Sequence, residues 1–232
     1  MNQLLSQAIV LSRTDYGEAD RIITLLTPDY GKLRVMARGV RRMKSKLAGG
    51  IELFSVSDIT FIRGRGEIGT LVSTRLRVYY RNIVRDIDRV QLGYELIKSL
   101  NKATEDAPEV DYFELLERSF AALDDAAISL ELVQLWFQAQ LLRLAGYTPN
   151  LLTDNSGEKL NGDLRYAFDI DRVGFGLRPE GEYTADHIKT LRLLFSRNTP
   201  ATLNRIQGMG TLLPDTKSLL QLLINSYIVR KY

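Results

Sequence analysis

At 232 residues, with 45% hydrophobic and 25% charged residues, the chain has the composition of an ordinary globular protein and room for one or two domains. It holds no cysteine, which excludes disulfides, thiolate nucleophiles and Cys-ligated zinc or iron–sulfur sites, and fits a reducing cytoplasm. The net charge of +3 conceals an asymmetry: residues 1–80 carry 13 Lys/Arg against 7 Asp/Glu, and residues 81–232 carry 18 against 21. Any polyanionic partner therefore belongs to the first part.

The opening MNQLLSQAIVLSR has no charged leader, long apolar run or small-residue cleavage site, so no export signal is expected. No segment approaches the ~18 consecutive apolar residues of a membrane helix. From there to Tyr80 the pattern is that of strands. Gln7–Arg13 and Arg21–Thr27 are β-rich and are separated by a turn at Asp15-Tyr16-Gly17. Pro28-Asp29-Tyr30-Gly31 makes the next turn. The stretch KLRVMARGVRRMKSK then carries seven cations (Lys32, Arg34, Arg38, Arg41, Arg42, Lys44, Lys46) and no acid. Its first half alternates, with Leu33, Val35 and Ala37 inward and Lys32, Arg34, Met36 and Arg38 outward. Gly39 breaks the strand, and Arg41–Lys46 continue as a cationic loop. Edge protection needs fewer charges than seven of one sign, so a phosphate-binding surface is expected.

Ile51–Ile62 and Gly69–Tyr79 complete a set of five short antiparallel strands, joined by a turn at Gly64-Arg65-Gly66. Such a set predicts a small closed barrel, and the pattern alone leaves an SH3-like one open. From Arg81 the period is helical: Ile83, Ile87, Val90, Tyr94 and Ile97 mark one apolar stripe. Ala103–Glu109, with Pro108, is expected to be a polar linker. Tyr112, Leu116, Phe120 and Leu123 mark a second helix. Leu130–Ala145 is apolar nearly all round and predicts a buried central helix containing Trp136 and ended by Gly146. Residues 147–183 are turn-rich and hairpin-like, with a strand at Arg165–Ile170. Helices resume after the N-cap Thr184, at Thr199-Pro200 and at Pro214, the last ending at Arg230-Lys231. The expected architecture is α+β: a barrel domain over 1–80, then a helical domain over 81–232 with an insert at 147–183.

Few residues are suited to catalytic chemistry. His187 is the single histidine, placed in the first turn of a predicted helix. The pairs Asp86/Asp88, Asp124/Asp125 and Asp169/Asp171 lack the further acids that a two-metal site requires. The glycine pairs at Gly64/Gly66 and Gly174/Gly176 lack a nucleotide-binding context. The expectation is a protein without a catalytic site, cofactor or metal.

The segments AIVLSRTDYGEADRIITLLTPDYGKLRVMARGVRRMKSKLAG, FSVSDITF and LRLAGYTPNL together resemble the RecO family of bacterial recombination mediators, over nearly the whole chain. ARGVRRMKSKL is the most specific part. The resemblance implies an OB-fold at the amino terminus, then a helical domain with a small inserted lobe. It implies binding of single- and double-stranded DNA, annealing of complementary strands, and work with RecR and the single-stranded DNA-binding protein to load RecA. A cytoplasmic, nucleoid-associated location follows. The phosphate contacts would be Lys32, Arg34, Arg38, Arg41, Arg42, Lys44 and Lys46, with Arg63, Arg65, Arg75 and Arg77 in second rank. Tyr16, Tyr30 and Phe54 are candidates for base stacking. Many relatives hold zinc with two CxxC pairs after GYxP. This chain has none, and Asp154 and Asp171 offer no tetrahedral site with His187. The lobe is then expected to rest on its turns and on Leu151, Phe168 and Phe175. Two other readings fit the composition: an RNA-binding OB protein, and a scaffold that associates through its acidic helical part.

Overall fold

Alternation of inward apolar and outward polar residues produces β1 (Gln3–Tyr16), β2 (Asp20–Thr27), β3 (Gly31–Ala37), β4 (Ser55–Ile62) and β5 (Ile68–Tyr79). The structure, a computed structural model, describes residues 2–64, 66–104 and 110–229. The strands close into a barrel in the order β1-β2-β3-β5-β4, the arrangement of an OB-fold. The β1–β2, β2–β3, β1–β4 and β4–β5 ladders are antiparallel, but the closing β3–β5 ladder is parallel, pairing Arg34–Met36 with Ile68–Thr70. Ile23, Leu25, Val35, Ala37, Ile59, Phe61 and Leu71 fill the interior.

Two helices belong to the same compact unit, which spans Met1–Asp125. The change from strand to helical period falls after β5, yet α1 (Ile87–Ala103) and α2 (Val110–Asp124) pack with the barrel. The pivot is Phe54. Its residue lies outside β4 in the left-handed region, at φ 57°, a conformation that costs a bulky residue about 1 kcal/mol or more. The cost is offset by burial: Phe54 is 2% exposed and meets Tyr94 and Phe120 edge to face at 5.5 and 5.4 Å. Gly93 of α1 makes room for it, since a Cβ there would fall 2.5 Å from the ring. The expected strand from Ile51 is thus corrected to begin at Ser55, after a short 3-10 turn at Ala48–Gly50.

The stripe expected for α1 is corrected as well. Ile87 is 78% and Tyr94 49% exposed, while Leu92, Leu96, Ile97 and Leu100 are buried. Asp86 caps the helix, accepting from the amides of Asp88 and Arg89, so Ile83 falls outside it in a separate 3-10 turn. On α2, Tyr112, Leu116, Phe120 and Leu123 are buried. The expected linker at Ala103–Glu109 lies mostly outside the described residues.

The second compact unit spans Ala126–Tyr232. Its centre is α3 (Leu130–Leu144), with Val133, Leu135, Leu141 and Leu142 fully buried. Trp136 donates from Nε1 to the Asn198 carbonyl at 2.7 Å, a packed core position. Around α3 lie α4 (Ala185–Phe195), α5 (Pro200–Leu203) and α6 (Met209–Ile224), and a π-helical turn follows at Asn225–Val229. Pro214 does not start α6 but lies within it. Pro214 and Gly210 are both exposed, so the carbonyl that the proline leaves without its helical donor can meet water. The expected terminus at Arg230-Lys231 lies outside the described residues. Between α3 and α4 the chain forms a hairpin of β6 (Tyr166–Asp169) and β7 (Gly174–Leu177).

Candidate nucleic-acid interface

The basic stretch divides at Gly39, whose φ of 62° turns the chain out of β3. The Gly39 amide donates to Asp20 Oδ1 at 2.7 Å. Val40, 4% exposed, then drops into the barrel core, and the Arg41 amide donates to the Ala19 carbonyl at 2.9 Å. Two successive turns follow, closed by Arg42 N–H to Gly39 C=O at 3.1 Å and Ser45 N–H to Arg42 C=O at 3.0 Å. The Thr74 hydroxyl of β5 fastens the far end, donating to the Leu47 carbonyl at 3.2 Å. These bonds hold the loop's main chain, and apart from Val40 its long side chains are exposed.

Arg38, Arg42, Lys44 and Lys46 are exposed, and among the described residues none has a carboxylate within 4.0 Å. Arg41 differs. Its guanidinium is 3.5 Å from Asp15, which Arg21 also holds at 2.7 Å. The hydrogen bond from Arg21, with the charges of Arg41 and Arg21 beside it, keeps the Asp15 carboxyl below its usual range. Arg41 therefore shares a counterion with Arg21, although a solvent-exposed pair of this kind is weak enough to exchange for a phosphate.

The outward face of β3 contributes less positive charge than its sequence implies. The Lys32 ammonium donates to the Asn101 and Thr104 carbonyls at 3.2 and 2.6 Å, at the carboxyl end of α1. There it meets orphan carbonyls and the negative end of the helix dipole. Arg34 is 3.7 Å from Glu67, both exposed. Lys32, Arg34 and Arg63 line one groove with Tyr30 and Phe61. Arg63 stands over the Tyr30 ring, 5.2 Å from its centroid, and Phe61 meets the same ring edge to face. The Tyr30 face is thus already covered by a cation. Arg75 and Arg77 lie on another wall of the barrel: Arg75 opposes Asp58 in the β4–β5 ladder, and Arg77 is 3.6 Å from Asp58. Arg65 lies outside the described residues. Of the stacking candidates, Tyr16 is 57% exposed, whereas Phe54 is buried and unavailable. The basic loop also exposes an apolar side chain that its charge pattern does not single out. Met43, at 105% of the reference exposure, sits among the loop cations.

The insert uses its polar groups on itself. Asp154 Oδ1 accepts from the Ser156 amide at 2.8 Å, the Ser156 hydroxyl at 2.6 Å and the Glu158 amide at 3.0 Å. Hydrogen bonding from the Ser156 hydroxyl, followed by these amides, holds its carboxyl below the usual range. Tyr166, Phe175 and Tyr183 are buried beside it, with Phe175 edge to face against Phe168 and Tyr183. Leu151 is buried too. The sequence has no cysteine to match the CxxC pairs that the family resemblance implies. Asp154 is occupied by donors, and no three His, Cys, Asp or Glu side chains converge among the described residues. His187 Nδ1 lies 3.0 Å from the Thr184 amide, which it accepts in a capping box at the start of α4. No helix of the described residues is long and apolar enough to cross a membrane.

Residues 1–80 match the family model described as Recombination protein O N terminal, and residues 90–231 match Recombination protein O C terminal. The DNA repair protein RecO of Halalkalibacterium halodurans is 30% identical over 96% of this chain and 87% of its own length. That of Exiguobacterium sibiricum is 27% identical over 97% of this chain and 90% of its own. That of Dehalococcoides mccartyi is 33% identical over 63% of this chain and 57% of its own. These names denote DNA repair and no catalysed reaction. An OB barrel with a pinned basic loop, a helical part matched separately, and relatives of one name across several bacteria agree: the chain belongs to the RecO family.

Proposed function

We propose that the chain is a non-enzymatic, DNA-binding recombination mediator. It binds single- and double-stranded DNA, anneals complementary strands and, with RecR, helps load RecA onto DNA covered by the single-stranded DNA-binding protein. The barrel domain, residues 1–80, supplies the DNA contacts, and residues 81–232 supply contacts to protein partners. Its place is the cytoplasm, at the nucleoid. Family membership supports the outline. The observation that carries the DNA-binding part is the set of four exposed cations, Arg38, Arg42, Lys44 and Lys46, with no carboxylate within 4.0 Å among the described residues, on a loop fastened to the barrel.

Annealing then has a simple basis. A cationic surface that binds either strand lowers their mutual repulsion without reading bases. Four phosphate contacts on a single strand give a slope of log affinity against log salt near −3, from roughly −0.7 per contact. Raising salt from ~50 to ~200 mM should weaken binding about 50-fold by the same relation. Replacing Arg38, Arg42 and Lys44 by alanine should bring the slope to about −1 and slow annealing of complementary oligonucleotides. Folding should survive, because these side chains are exposed and Val40 remains in the core. A folded triple variant that keeps the wild-type slope would remove the loop from the interface. Competition between matched DNA and RNA strands would show whether the same cations prefer either.

A further inference from the structure

We infer that Met43 is an apolar wedge that contacts the bases of a bound single strand while its neighbours hold the phosphates. This rests on the phosphate-binding reading of the loop. Met43 and Lys44 occupy the two corners of the turn closed by Ser45 N–H to Arg42 C=O. Turn corners are ordinarily given to Gly, Pro, Asn, Asp or Ser, which either fit the backbone or bond to it. A methionine there does neither. Its side chain, at 105% exposure, contributes nothing to the core. It also stands between Arg42 and Lys44, with Arg41 one residue further back.

The turn cannot easily fold this side chain away. Val40 anchors one side of it in the barrel, the Gly39 amide is held by Asp20, and Thr74 holds Leu47 on the other side. A strand whose phosphates lie on Arg42 and Lys44 therefore brings its bases against the one apolar group in between. Methionine is flexible and polarisable enough to lie on, or slip between, bases of any identity. The contact favours an unstacked strand, the form in which bases are exposed for pairing with a complement.

Salt separates the two kinds of contact. Phosphate contacts set the slope of log affinity against log salt, whereas an apolar contact moves the whole line without tilting it. The probe is a mixed-sequence single strand carrying 2-aminopurine, whose fluorescence rises when its neighbours unstack. Met43→Ala and Met43→Gln should each weaken binding about five- to tenfold at every salt concentration, as loss of a partly buried methionine side chain predicts. Their lines should run parallel to that of the unaltered protein, and the fluorescence rise should be lost. Met43→Leu should keep both affinity and the rise. Because the side chain is fully exposed, none of these variants should change the melting temperature. If Met43→Ala and Met43→Gln fall on the unaltered line and the slope is normal, the wedge is wrong and the phosphate reading stands. A slope near zero in the unaltered protein overturns both.

Discussion

The basic loop at 38–46 and the insert at 147–183 are both irregular, polar and rich in turns, yet they dispose of their side chains in opposite ways. In the insert, short acidic and amide groups fold back on their own main chain. Asn150 Oδ1 accepts from the amides of Leu152 and Thr153, Asp154 from those of Ser156 and Glu158, Asn161 from that of Asp163, and Asp169 from those of Asp171 and Arg172. In the loop, Arg and Lys carry only donors and cannot accept from the amides. Apart from the Ser45 hydroxyl, which accepts from the Leu47 amide, the main chain is held by turns and by the barrel. Asp and Asn thus build structure out of a turn, while the loop cations other than Arg41, which pairs with Asp15, leave the turn's surface for another molecule. The difference separates a lobe stabilised from within from a loop offered outward.

The largest effect expected from breaking this contrast is at Asp154. Its folded pKa is depressed, so its contribution to stability is present above the ordinary value of 3.8 and is lost as pH falls through the lower, folded value. At neutral pH that contribution is complete. Asp154→Ala should remove the acceptor altogether, and the amides of Ser156 and Glu158 should lose their protection from hydrogen exchange. Asp154→Asn keeps an acceptor but not the charge, so it should retain part of the protection and flatten the acid dependence of the lobe. Unchanged exchange in Asp154→Ala would show that the aromatic contacts of Phe175 and Tyr183 alone hold the turn.

A second, smaller effect tests how the loop is held. Val40 is the apolar pin of an otherwise cationic stretch, and Val40→Ala should destabilise the barrel by about 2 kcal/mol through lost burial and a residual cavity. The cations remain, so the salt slope for single-stranded DNA should be unchanged while affinity falls, because a looser loop must be ordered on binding. If affinity stays the same although stability drops, the pinning is a matter of folding only.

The legible part of the sequence was whatever repeats locally. Period 2 located the strands, and apolar content located α3, because burial on one face or all round leaves a pattern within ten residues. Side chains whose partners lie far along the chain were misjudged. Lys32 reads as one more cation on the face of a strand, but its ammonium serves carbonyls at Asn101 and Thr104, some 70 residues on. Phe54 fits the alternation of β4, yet a helix that presents Gly93 diverts it into the left-handed region. The α1 stripe fails for a different reason. Asp86 is a local N-cap signal, bonding the amides of Asp88 and Arg89, and a helix started there leaves Ile83 outside and Ile87 exposed. In the candidate site, charge was legible but pairing was not. Arg41 and Arg77 have carboxylates that only the fold brings near, Asp15 from β1 and Asp58 from β4.

The smallest effect concerns the end of the insert, where a side chain again folds back on the main chain. The Thr184 amide donates to His187 Nδ1 at 3.0 Å, and the Thr184 hydroxyl lies 2.8 Å from the same nitrogen. The third helical position of such a capping box is ordinarily Glu or Gln, whose oxygen reaches back to the cap amide. His187→Gln should therefore preserve stability, whereas His187→Ala should lower it by about 1 kcal/mol in a denaturant titration. The ring also meets Tyr183 edge to face at 5.9 Å, which offers a competing explanation of its place. The pair of variants decides between them: glutamine can restore the cap bond but not the ring contact. Equal losses in His187→Gln and His187→Ala would mean that the histidine is held for its contact with Tyr183, and that this end of the insert, unlike its turns, is fixed by packing.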